Sequence, residues 1–141
     1  MIALALSLAL LSDPRLVLVG VGRFAVYADT ATIAREMPDP AWIRSLQVAE
    51  QGFTAGGVTY IGGWSRWAFD CRQRTADRLD FASLKADLTE GPAVPDTAPP
   101  YEAAPGSDEL ALLVMACTQT PDPSGLSLQQ AIEEGQAALA E

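Results

Sequence analysis

The sequence predicts an α+β fold: an antiparallel meander of about five or six strands, one face covered by a helix that a disulfide tethers. Three observations predict it. Residues 16–85 hold short β-branched and aromatic runs separated by glycine and proline turns. Residues 107–117 open on Ser107 and two acids and then run apolar at nearly every position, which suits a helix buried on most of its surface. The two cysteines close an alternating aromatic strand (Cys71, residues 64–71) and that apolar helix (Cys117).

The elements follow in order. Residues 2–11 are apolar except for Ser7, too short a run to span a bilayer but right for a signal-peptide core. Ser7 and Ala9 supply small residues for cleavage, so residues 1–12 are read as a signal peptide. No Lys or Arg precedes the run, and the alternative is a first core strand or helix.

Residues 16–21 form a first strand and residues 24–29 a second, with Gly22 and Arg23 as the turn between them. Asp29 and Thr30 are cap-forming residues ahead of a single helical turn over 29–36. Pro38 and Pro40 break the chain. Residues 42–50 make a third strand with Trp42, Leu46 and Val48 on one face, and the glycines of residues 51–57 a hairpin loop. Residues 58–71 are the long central strand, with a bulge at Gly62 and Gly63. Residues 73–85 return against it, Leu79 and Phe81 facing one way and Arg78 and Asp80 the other.

Five prolines make residues 89–106 an extended connection. The helix of residues 107–117 follows, and a single domain is expected over 13–118. Residues 119–141 are a tail with a helix candidate from Ser127. Its stripe of Leu128, Ala131, Ile132 and Leu139 is weak, and Gly135 weakens it further.

Composition excludes several functions. The 141 residues, 49% hydrophobic, are enough for one real core. A net charge of −9 argues against nucleic acid and anionic membrane surfaces as partners. Histidine is absent, which removes the commonest general base and zinc ligand. No cofactor and no metal site is expected, and no enzymatic activity. Gly20, Gly22 and Ala25 match a dinucleotide-binding pattern, but residues 24–28 read as strand where that motif needs a helix. Asp70 beside Cys71 would raise a thiol's pKa and blunt it as a nucleophile.

The candidate binding residues lie on the central hairpin. Trp64 and Trp67 are three apart and so fall on opposite faces of a strand. Trp67 and Phe69 share a face with Cys71 and are expected in the core, which leaves Trp64 as the more exposed aromatic and a partner-binding candidate. Arg66, Arg72, Arg74 and Arg78 share a parity and could line one sheet face as an anion site. Cross-strand pairing with acids such as Asp70 and Asp80 is the plainer reading.

The run at residues 16–20, the segment from Val26 to Asp29 with Ile33, residues 64–72, and Pro105 to Ser107 leading to Cys117 together resemble the surface-adhesin protein E-like family of bacterial envelope proteins. The resemblance spans roughly residues 16–118. It implies an antiparallel sheet with a C-terminal helix tethered by the Cys71–Cys117 disulfide, and it implies export. The family's founding member is an outer-membrane lipoprotein that binds host extracellular-matrix proteins. This chain lacks its lipidation cysteine, and no binding residue is carried over. The expectation is an exported, periplasmic or secreted, non-enzymatic binding module with a protein or an envelope component as partner and no transmembrane span. The alternatives are a structural or homodimer-forming protein, and a small-anion binder on an arginine-bearing face.

Overall fold

The computed structural model describes residues 13–141; the candidate leader over 1–12 lies outside them. Eight strands form the antiparallel sheet: β1 Leu16–Val21, β2 Ala25–Arg35, β3 Ala41–Val48, β4 Thr54–Ala55, β5 Val58–Asp70, β6 Thr75–Lys85, β7 Val94–Pro95 and β8 Tyr101–Glu102. The helices α1 Asp108–Thr118 and α2 Leu128–Leu139 pack against it. The order β1-β2-β3-β5-β6-β7 is the expected meander, with β4 paired to β5 and β8 to β6. The proline-rich connection supplies β7 and β8, two short strands that lie along the outer edge of β6.

The helical turn expected over 29–36 does not form. β2 runs on to Arg35, pairing Asp29 with Leu16 of β1 and Ala34 and Arg35 with Trp42 and Ala41 of β3. The polar residues that suggested a cap serve a bulge instead. Asp29 Oδ1 accepts from the amides of Arg15 and Ala31, and the Thr32 hydroxyl donates to the Asp29 carbonyl while accepting from the Arg44 amide. Cross-strand pairing on both sides outweighs the local preference.

The central strand does carry a bulge, but at Ile61 and not at the glycines: the β5–β6 register shifts between Tyr60 and Gly62, while Gly62 and Gly63 stay paired with Leu84 and Ser83. A second shift, between Arg66 and Trp67, leaves Leu79 of β6 without a partner. It reverses the expected alternation beyond it, so Arg78 and Phe81 share a face and Asp80 takes the other.

The core changes face half-way along β3. Ala41 and Ile43 pack with Trp67, Phe69 and Ala28 against Leu112, Leu113 and Ala116 of α1. Leu46 and Val48 pack with Ala25, Tyr27 and Trp64 against Ala131 of α2. Since neighbouring strand residues point to opposite sides, α1 and α2 lie on opposite faces, each over part of its own. The tail is therefore part of the packed structure, and Leu126 exchanges backbone hydrogen bonds with Leu16. Gly135, which weakens the helix by propensity, is what lets α2 approach. A Cβ there would stand 3.1 Å from the Val48 side chain and 3.2 Å from the Ala25 Cβ.

Both helices are capped, α1 by the residue the sequence suggests. The Ser107 hydroxyl accepts from the Leu110 amide, and Ser127 and Gln130 form a capping box. The last turn of α1 has no basic residue of its own; the Arg35 guanidinium reaches across from β2 and donates to the Cys117 carbonyl. Cys71 and Cys117 form the expected disulfide, their Cα atoms 5.8 Å apart. Trp67 and Phe69 are buried in the core and stack with ring centroids 6.0 Å apart.

Candidate binding pocket

The half of the sheet face that α1 leaves uncovered is where a cavity forms. Cross-strand pairs lead to it from the packed side: Ile43 opposite Trp67, Ser45 opposite Ser65, Gln47 opposite Gly63. Ser45 accepts from the Trp67 indole N–H at 2.9 Å, and the Ser65 hydroxyl lies 3.4 Å from the Gln47 side-chain amide. These small polar side chains are buried and bonded sideways, and they mark the end of the α1 core.

Beyond them lies a pocket of about 470 Å³, within the range of small-molecule sites. Phe24 comes from the β1–β2 turn, Phe53 and Ala55 from the small β4 hairpin, and Tyr60 from the start of β5. Phe24 and Phe53 meet edge to face at 6.4 Å. Phe81, Ser83 and Arg78 of β6 complete the lining, with Gly62 and Gly63 between them and Gln47. The glycines are required by close approach. A Cβ on Gly62 would fall 1.8 Å from the Gln47 carbonyl oxygen, and one on Gly63 would fall 2.2 Å from Phe81 Cζ.

Arg78 enters the pocket because of the β6 bulge. Its guanidinium carbon sits 5.0 Å from the Phe81 ring centroid, a cation–π distance. Its Nε is buried without a hydrogen-bond partner. No Asp or Glu lines the cavity.

No family model, no curated protein and no solved structure matches this chain.

The other predicted binding residues lie elsewhere. Trp64 does face away from Trp67, but it is only 2% exposed and does not offer the open aromatic surface expected of it. α2 packs on its side of the sheet, and the Arg44 guanidinium covers its ring at 3.8 Å while pairing with Glu90 at 2.7 Å. Arg66 forms the anticipated cross-strand pair with Asp80, at 2.6 Å. Arg72 and Arg74 are exposed in the turn between β5 and β6. The four arginines therefore do not share a face: the turn and the bulge at Leu79 separate Arg78 from the rest.

Phe24 and Phe53 escaped the sequence reading for different reasons: Phe24 was read as the first residue of the second strand, whereas β2 begins at Ala25 and leaves it in the turn, and Phe53 sits in a glycine loop where no periodicity assigns a face. The available signal was two bulky aromatics placed among glycines that would otherwise be solvated. On the α2 face, the Tyr27 hydroxyl donates to Glu134 at 2.8 Å; burial and then this carboxylate push the phenol's pKa up. Among the described residues no group of three or more Cys, Asp and Glu could hold a metal ion, and no helix is long and apolar enough to cross a membrane.

Proposed function

We propose that this chain is an exported, non-enzymatic binding module of the bacterial cell envelope, adhesin-like in architecture, and that it binds through the Phe24–Phe53–Phe81 pocket. The observation that carries this reading is the pocket itself: an aromatic-lined cavity on a sheet face that α1 leaves open. A closed disulfide is compatible with an oxidising, extracytoplasmic compartment. The lining supports binding over catalysis. Arg78 and Tyr60 are its ionisable side chains, and neither carboxylate nor imidazole stands by as a general base near neutral pH.

The neutral fluorophore N-phenyl-1-naphthylamine tests the pocket. Its emission should rise saturably with the purified protein and lose most of that rise with Phe81→Ser. An equal response from that variant would remove the pocket from the account.

A second reading is favoured by β1, the outer strand of the sheet. Val17, Leu18 and Val21 are 39%, 40% and 50% exposed there, an apolar edge suited to pairing with a second copy of the chain. Light scattering should then give a dimer mass that Leu18→Lys reduces to the monomer's; a monomer at all concentrations removes this reading.

A further inference from the structure

We infer that the ligand of this pocket is an amphipathic carboxylate, a hydrocarbon body seated among Phe24, Phe53 and Phe81 with its anionic end on Arg78. The inference rests on the pocket reading and adds the ligand's chemistry to it.

Charge places the anion. The chain carries 18 acidic against 9 basic residues, yet the cavity is lined by one cation and by no acid. The arginines in salt bridges among the described residues are Arg44, with Glu90, and Arg66, with Asp80, and neither lines the cavity. Arg78 lines it, and its Nε is buried with no hydrogen-bond partner in the protein. A buried guanidinium donor left without an acceptor is costly, and a ligand oxygen is the acceptor that would satisfy it. A guanidinium presents adjacent N–H donors in one plane, a fork that fits the two oxygens of a single carboxylate.

Shape places the hydrocarbon. Phe24 and Phe53 meet at 6.4 Å, and Phe81 carries Arg78 at 5.0 Å from its ring, so the apolar and cationic surfaces are continuous. Gly63 keeps the sheet surface beside Phe81 free of a side chain. Ser83 and the Gln47 amide add neutral polar groups to the lining, with no opposing charge.

Calorimetric titration of the purified protein with decanoate, 1-decanol and decyl phosphate is the test, on the wild type and on Arg78→Gln. Decanoate should bind about tenfold or more tightly than 1-decanol, the gain expected of hydrogen bonds to a charged group. Octanoate should bind about fourfold less tightly than decanoate for each methylene lost. Arg78→Gln should remove the advantage of decanoate over 1-decanol, and an unchanged far-ultraviolet circular dichroism spectrum shows that the variant is folded. Equal binding of decanoate and 1-decanol by the wild type would overturn the inference and leave the apolar pocket standing. So would unchanged decanoate affinity in Arg78→Gln. Decyl phosphate binding as tightly as decanoate would overturn the carboxylate assignment. No binding of any of the three, with no fluorophore response, would remove the pocket reading as well.

Discussion

The Phe81 ring occupies the space that a side chain at Gly63 would need: a Cβ there would lie 2.2 Å from Phe81 Cζ and 3.0 Å from the Ala82 carbonyl oxygen. Its neighbour is under a harder constraint, because a Cβ on Gly62 would meet the backbone of β3, 1.8 Å from the Gln47 carbonyl oxygen. A ring can swing away where a paired strand cannot. Gly63→Ala should therefore cost about 1 kcal/mol of stability and displace Phe81, cutting fluorophore binding. Gly62→Ala should cost about 3 kcal/mol, the upper end for overpacking. Urea unfolding of the two variants gives the comparison. Equal losses would show that β3 and β5 are less closely held than this.

The disulfide joins residues 46 apart in sequence, spanning the proline-rich connection whose short strands β7 and β8 make limited contacts with β6. Closing a loop of that size stabilises by about 4 kcal/mol in the chain-entropy model. The double variant Cys71→Ser with Cys117→Ser should unfold at a clearly lower urea concentration than the oxidised wild type. Adding reductant should move the wild type towards the variant and leave the variant where it is. Coincident unfolding curves for all three would show that packing alone holds α1.

Asp29 is 2% exposed, and burial raises its carboxyl pKa, opposed by the Arg15 and Ala31 amides and then by the charge of Arg44. The folded value thus lies above the ordinary 3.8 of the unfolded chain. Between the two values the folded protein holds a proton that the unfolded chain has released. The Asp29 contribution to stability therefore rises as pH falls through the raised value and levels off below 3.8. Asp29→Asn keeps an oxygen acceptor for both amides and cannot titrate. Stability of the wild type relative to this variant should increase as pH is lowered from neutral towards 3.8. A flat or decreasing difference in chemical denaturation would contradict the assignment.

Much of the fold was legible in local pattern. The β-branched runs became β1 and β2, the prolines at 38 and 40 fell between β2 and β3, and Ser107 capped α1. Pairing the cysteines followed from their places at the ends of a strand and a helix. What was not legible depended on neighbours distant in sequence. Cross-strand bonds from β1 and β3 kept residues 29–35 extended against their capping residues. One residue without a β5 partner, Leu79, moved Arg78 to the other face and dissolved the row of arginines that their parity allowed. Trp64 was placed on the correct side of the strand, but α2 and the Arg44–Glu90 pair cover that side. Alternation assigns a side; it does not say what lies on top. The pocket was hidden for the same reason, since Phe24 and Phe53 belong to turns that only the folded sheet brings together.

The central claim is that the uncovered half of the α1 face is a binding site. Amide chemical shifts of isotope-labelled protein, titrated with N-phenyl-1-naphthylamine, test it most directly. The account predicts saturable shifts at Gln47, Gly62, Gly63, Phe81 and Ser83, with α2 and the outer edge of β1 unmoved. Saturable shifts confined to α2 or β1, or none at the five pocket amides, would contradict it.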